Sequence, residues 1–467
     1  MFKISLHGPR LSEAADTNGP YSYWYGLGSL LQISATRALL IANRRTVGVD
    51  VVDLEDGADG FIIDTIDQID PAQAIPLVHN EQATHPRTGQ RLIMVQHCSV
   101  GGFVPLGACL SDGQPHPAAG TGFILATAVG HGADLSENVL NMQDTHSLRV
   151  VLQIRYDGRE LSIVKVERYE PGQAPFGLYS FRHPLQNAIP DGEDLLTGVS
   201  IAPIDPEAGP IPSQHPHARG QFGRNRGCAI WRWRYGSDGW QPVSSVPVTG
   251  PDISAEPTLI RDTDDSLLMS VRGKGLDVPP GEVLDGLENT YEHFRVYRST
   301  DNGQTWQPAV HLPRQRTATP VVLSRTAGGL PYLSANPYDS QPERDAQGRM
   351  VMSTRRRDHL CCWALTADRR GVSEPSRIVD ATAAFGPAHA ISHPALKHDN
   401  GWFLDHPIGS VLQLGDGELG TYLCFRVTDT GVNACGAIPT PEHGLYIERV
   451  TVQGDPPPAP IWRFDKR

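Results

Sequence analysis

No apolar run in this 467-residue chain is long enough to span a membrane, and the opening from Met1 to Arg10 lacks the hydrophobic stretch of a secretory signal. The chain as it stands therefore reads as cytoplasmic, or as secreted or periplasmic if a signal has been removed. Metal-ligand spacing is missing as well. The seven cysteines, Cys98, Cys109, Cys228, Cys361, Cys362, Cys424 and Cys435, are an odd and scattered set, which excludes a complete disulfide framework and leaves no motif for a metal or other cofactor. Basic residues are outnumbered, 40 Lys and Arg against 52 Asp and Glu, and the net charge of -12 disfavours nucleic acid or an anionic membrane as a partner. Heptad patterning is absent, and the glycines within 113–122 have no βαβ context, so neither long helices nor a nucleotide-binding loop is expected.

Glycine and proline are plentiful, 47 and 39 residues, and they punctuate a recurring strand–turn–strand unit. Six copies run along the chain: residues 29–33 with 38–45, 79–80 with 91–97, 184–189 with 194–198, 256–260 with 267–272, 320–323 with 332–337, and 411–414 with 422–426. Each hairpin is apolar on both faces and cannot bury itself, so radial stacking is the expected solution. The fold class follows: all-β, a six-bladed β-propeller occupying residues 1–467 as one domain. A long insertion around 98–180 breaks the spacing. Its segment 148–154 and the turn Asp157-Gly158 complete the second blade or add an extra hairpin or lid, which leaves a seventh blade open.

Between the fourth and fifth copies, Ser299-Thr300-Asp301-Asn302-Gly303-Gln304-Thr305-Trp306 carries the Ser-x-Asp-x-Gly-x-Thr-Trp pattern of an Asp box. In such a turn the aspartate accepts backbone hydrogen bonds, the glycine supplies a positive φ and the tryptophan packs beneath. A degenerate relative, Tyr235-Gly236-Ser237-Asp238-Gly239-Trp240, lies about sixty residues upstream. Antiparallel pairing brings the start of each first strand and the end of each second strand to one rim. That rim collects Glu256, His79, Gln186 and His406 from strand starts, and Arg44, Arg45, His97, Arg272, Asn336 and Arg426 from strand ends. Any propeller rim is polar. Arginines gathered with a glutamate and histidines also suit an acidic sugar, because guanidinium forks bind carboxylates bidentately.

Across most of the chain, this order of signatures resembles the sialidase (neuraminidase) superfamily of Asp-box, or BNR-repeat, propellers. Asn80 with Thr88-Gly89-Gln90-Arg91-Leu92 is similar to the family's second blade, residues 189–195 to its third, and Glu256 through Arg272 to its fourth. The resemblance implies a hydrolase of carbohydrate metabolism, an exo-glycosidase that releases a terminal acidic sugar, sialic-acid-like or uronic, from an oligosaccharide or glycoconjugate. It implies that Glu256 activates a tyrosine nucleophile, that Arg272 is one of three arginines clamping the substrate carboxylate, and that Arg357 or Arg356 is another. Asp50, then Asp53, lies nearest the family's acid/base aspartate.

Two departures alter that picture. Residues 25–29 carry no arginine where the family has its first clamp, which leaves Arg44 or Arg45 on the adjacent strand, and Ile408 stands where the nucleophilic tyrosine is expected, so that Tyr422 or Tyr338 would have to reach in. A carboxylate nucleophile would be repelled by the substrate's own carboxylate. Two chemistries remain: direct attack by water with Glu256 or His406 as base and Asp50 as acid, or β-elimination at a uronic acid with His79, His97 or His406 as base, as in a polysaccharide lyase. A non-catalytic glycan-binding propeller is the third reading.

Overall fold

A computed structural model describes residues 1–11, 22–47, 57–67, 69–78, 81–84, 91–131, 147–170, 172–182, 185–202, 227–248, 255–272, 292–317, 321–337, 343–344, 350–351, 357–388, 402–429 and 442–458. For some strand residues, Arg44, Arg45, His97, Arg272, Asp405 and His406 among them, it describes the backbone alone. Six sheets of four or five antiparallel strands form the blades of a propeller. Blade 1 holds Ser22–Gln32, Ala38–Val47, Gly57–Ile63 and Ile75–Val78, and blade 2 holds Arg91–Val104, Thr121–His131, Ser147–Tyr156 and Leu161–Tyr169. Blade 3 holds Ile189–Asp191, Asp194–Ala202, Gly227–Gly236 and Gly239–Val248; blade 4 holds Ala255–Arg261, Leu267–Arg272, Glu292–Ser299 and Gln307–Thr317. Blade 5 holds Val322–Arg325, Pro331–Ala335, His359–Ala364 and Ser376–Asp380. Blade 6 joins Trp402–Leu412, Gly420–Asp429 and Gly444–Val452 to the N-terminal Phe2–Lys3, which closes the ring.

The period-2 alternation of strand side chains explains why the blades need each other. In blade 1, Leu31, Leu39 and Ile41 pack with Phe103, Ile124 and Val150 of blade 2, while Leu30, Leu40 and Ala42 pack with Tyr422, Cys424 and Ile447 of blade 6. One apolar cluster fills each of the junctions around the ring. Each fully buried leucine or isoleucine there contributes about 1.5–3 kcal/mol.

In blades 1, 3, 4, 5 and 6 the inner hairpins fall where the sequence places them. Blade 2 is built differently. Glu81–Thr84 pairs only with the first residues of Arg91–Val104, and it is this long strand that lines the axis, with Gly101 donating to Asn187 Oδ1 at 3.3 Å. The region that left a seventh blade open supplies the other three strands of blade 2. On the axis itself, Gln186 Nε2 donates to Gly409 O at 3.1 Å and Ser324 Oγ at 3.2 Å, and Asn187 Nδ2 donates to Leu30 O at 2.8 Å. These two amides close the channel and give it a floor.

On the base of the propeller, the inner turn of one blade is tied to the outer part of the next. Arg37 meets Tyr156 at 2.9 Å, Asp191 meets Asn302 at 2.9 Å, Asp262 meets Arg369 at 2.6 and 2.8 Å, and Thr326 meets Asp455 at 2.6 Å. The turn at Ser299–Trp306 belongs to this ring. Thr305 donates its N–H and hydroxyl to Asp301 at 2.8 and 2.6 Å, Gly303 has φ 89°, and Trp306 packs into the junction of blades 3 and 4. The hydrogen bonds from Thr305 and then Ser299 hold the Asp301 carboxyl down at about 2.

Candidate functional site

Ala255 lies in register with Arg272, so the start of blade 4's inner strand and the end of its neighbour do share one rim. The register shifts between Ala255 and Thr258, and within this bulge Glu256 adopts φ 53°, a left-handed conformation that costs a residue of this kind about 1–3 kcal/mol. Its N–H leaves the ladder of its own sheet and donates to Ser200 Oγ, on blade 3, at 2.7 Å. The side chain is half-buried, and its charge reaches inward: the buried Cys228 thiol is pushed up by burial first and by the Glu256 carboxylate second.

Across the mouth, two arginines bracket the inner strand of blade 6. On one edge Arg357 forms a parallel bridge with Phe403, its carbonyl accepts from Leu404 N–H at 2.9 Å, and its guanidinium lies 4.8 Å from the Phe403 ring centroid. On the other edge Arg426 stands in register with Asp405. Both arginines are half-buried. The backbone under Arg357 is itself held, because the fully buried Asn336 donates Nδ2 to Arg357 O at 3.3 Å and His359 O at 2.8 Å. His406 falls in a register shift of the backbone between Asp405 and Ile408.

The candidate residues therefore gather in two groups, Glu256, Arg272 and Ser200 on blades 3 and 4, and Arg357, Arg426, Asp405 and His406 on blades 5 and 6. Arg44 pairs with Tyr25 and Gly57, Arg45 with Trp24, and His97 with Thr127, all at backbone level. Asp50, His79, Arg356 and Tyr338 lie outside the described residues. Tyr422 is 7% exposed within the cluster between blades 6 and 1, and burial pushes its phenol up. Gln186 serves in the floor rather than the rim. Ser200 was not singled out by sequence reasoning, and nothing near it in the chain signals that it faces Glu256.

The base offers a cleft of 330 Å³ lined by Asp264, Asp265, Ser266, Thr300, Asp301 and Asn302. Its three carboxylates repel an anionic ligand, so the mouth is the better site for one. Among the described residues no group of three or more histidines, cysteines or carboxylates is placed to hold a metal ion.

No protein-family model matches the chain, and no curated protein matches it by sequence. Solved structures do. Trypanosoma rangeli sialidase in complex with sialic acid is similar with a TM-score of 0.50 at 12% identity, covering 97% of this chain and 59% of that one. The chain thus spans less than two thirds of that protein's length. A Dyadobacter fermentans protein of unknown function (TM-score 0.49, 11% identity, 96% and 99% covered) is also similar. So is a Penicillium chrysogenum α-L-arabinanase complexed with arabinobiose (TM-score 0.45, 10% identity, 96% and 98% covered). At these identities the likeness is one of fold: this chain is a six-bladed β-propeller, similar in fold to that sialidase.

Proposed function

We propose that the protein is a glycoside hydrolase that removes a terminal acidic sugar, sialic-acid-like or uronic, from a glycan. Glu256 carries this reading: it holds a left-handed backbone conformation inside a strand at the end of the propeller to which Arg357 and Arg426 are also brought. Arg272 and Arg357 hold the substrate carboxylate, with Arg44, Arg45 and Arg426 as further cations on the same rim, and His79 and His97 complete the binding surface. Glu256, or His406 from the other group, acts as base toward water, and Asp50 protonates the leaving oxygen. The burial of Tyr422 argues against its serving as a tyrosinate nucleophile, which supports direct attack by water. The floor made by Gln186 and Asn187 suits a chain end, which enters and stops, rather than a polymer threaded through the axis.

Incubation with sialylated and uronate-containing oligosaccharides tests this, following released sugar by chromatography and unsaturated product by ultraviolet absorbance. Intact acidic sugar without new absorbance is expected. Growing absorbance replaces hydrolysis by elimination with a histidine base, and binding without turnover makes the propeller a glycan receptor.

A further inference from the structure

The left-handed backbone of Glu256 needs an explanation beyond the residue itself, because Pro257 follows it. Proline drives the preceding residue toward extended backbone, and a left-handed glutamate there relaxes unless something holds it. The second strand of blade 3 supplies two contacts. Ser200 Oγ accepts the Glu256 N–H at 2.7 Å. Two residues back on the same strand face, Gly198 leaves so little room that a Cβ built there would lie 3.1 Å from Pro257 Cβ and Cγ. Ser200 is 2% exposed and is fixed by strand pairing on both sides, to Arg182 and to Cys228. The next residue, Thr258, is anchored the other way: its hydroxyl accepts from Leu323 N–H of blade 5 at 2.9 Å and shares a hydrogen bond with Ser270.

We propose that Ser200 is a positioning residue for Glu256: its hydroxyl captures the Glu256 N–H across the blade junction and holds the residue in its left-handed conformation at the mouth end of blade 4. Gly198 gives Pro257 the space that this requires. Ser200 touches no substrate in this scheme, so its loss degrades turnover more than binding. The proposal deepens the glycosidase reading and rests on it for the consequence, but the clamp itself is measurable without any activity.

The test compares wild type, Ser200→Ala and Ser200→Thr in two measurements. The first is amide hydrogen exchange in the peptide containing Glu256, where Ser200→Ala loses protection at that amide and Ser200→Thr, which keeps the hydroxyl, retains it. The second is kinetics on whichever glycan the wild type cleaves. For Ser200→Ala we expect kcat to fall about 10- to 100-fold with KM within twofold, the size of effect that a misplacement near 1 Å produces, and recovery in Ser200→Thr. Unchanged exchange in Ser200→Ala overturns the clamp. Lost protection with full kcat, or equal damage in both variants, overturns the positioning role. If the wild type cleaves no glycan in the panel, the glycosidase reading falls, while the exchange result still decides whether Ser200 holds Glu256.

Discussion

The two ends of this propeller place non-glycine residues in left-handed backbone for different reasons. On the base, Asp265, Asn302 and Arg369 have φ 71°, 57° and 59°, and each sits in a tight turn whose closure requires such a residue. Two of them also earn a contact there: Asn302 reaches Asp191, and Arg369 forks onto Asp262 of the preceding blade. At the mouth, Glu256 has φ 53° inside a strand, where no turn asks for it. Strain that closes a turn is architecture, whereas strain inside a strand, at the end of the propeller that also holds Arg357 and Arg426, is what the proposed function rests on. The base should therefore govern stability and the mouth activity.

The largest separation is expected from Glu256→Gln. If Glu256 is the general base of the proposed function, its removal lowers kcat by about 10²- to 10⁴-fold. Thermal unfolding should stay close to wild type, since the amide keeps the shape and the backbone contact to Ser200. A large drop in Tm would move Glu256 to the architectural side and remove the main support for the proposed function.

The matching change on the base is Asp191→Ala. Burial works against this carboxylate, yet the Asn302 hydrogen bond and the charges of Arg232 and Arg261 together hold it below the usual range. It meets Arg232 at 2.5 Å and Arg261 at 2.7 Å, and its loss leaves both guanidiniums around a hole. A cost of about 3 kcal/mol is expected, measured by denaturant unfolding, with any turnover of the surviving folded protein unchanged. Next in size is the coupling of Asp262 and Arg369. A double-mutant cycle should return about 1–2 kcal/mol in stability and none in activity.

Most of this architecture was legible in the chain because it is local. A hairpin announces itself by two apolar runs and a turn, and the pattern of residues 299–306 dictates its own hydrogen bonds through Asp301 and Thr305. In blade 2 the hairpin read from the sequence does form, between 81–84 and 91–94, but its second strand runs on to Val104 and pairs along its other edge with Thr121–His131, an extent that the local pattern does not show. Half the candidate site was legible for a related reason: Glu256 and Arg272 belong to one hairpin, so pairing alone brings them together. Ser200, 56 residues from Glu256, and the bracketing of blade 6 by Arg357 and Arg426 arise only when separate sheets are stacked, which leaves no local pattern to read.

Acid should also act on the base first. The folded-state pKa of Asp301 is depressed to about 2 from an unfolded value of about 3.9, so its contribution is complete above the unfolded value and is lost as pH falls from about 4 to 2. Asp191, Asp264 and Asp368 are lowered too, and their loss runs in the same direction. Unfolding temperature should decline through that window, and Asp301→Asn should flatten the decline. An acid profile identical to wild type would mean that the turn does not report the base.

The smallest expected effect completes the contrast. Asp265 and Glu256 both carry left-handed backbone, and glycine adopts that conformation without strain at either position. At Asp265 the relief of strain is offset by the greater freedom that glycine gives the unfolded chain, and the backbone carbonyl that receives Arg261 is retained. Asp265→Gly should thus change stability by no more than about 0.5 kcal/mol and leave kcat unaltered. Glu256→Gly relieves the same kind of strain and keeps the N–H that donates to Ser200, yet it removes the carboxylate and, on the proposed function, turnover. If both glycine variants kept their activity, the left-handed residue at the mouth would be no different from those on the base, and the distinction between the two ends would collapse.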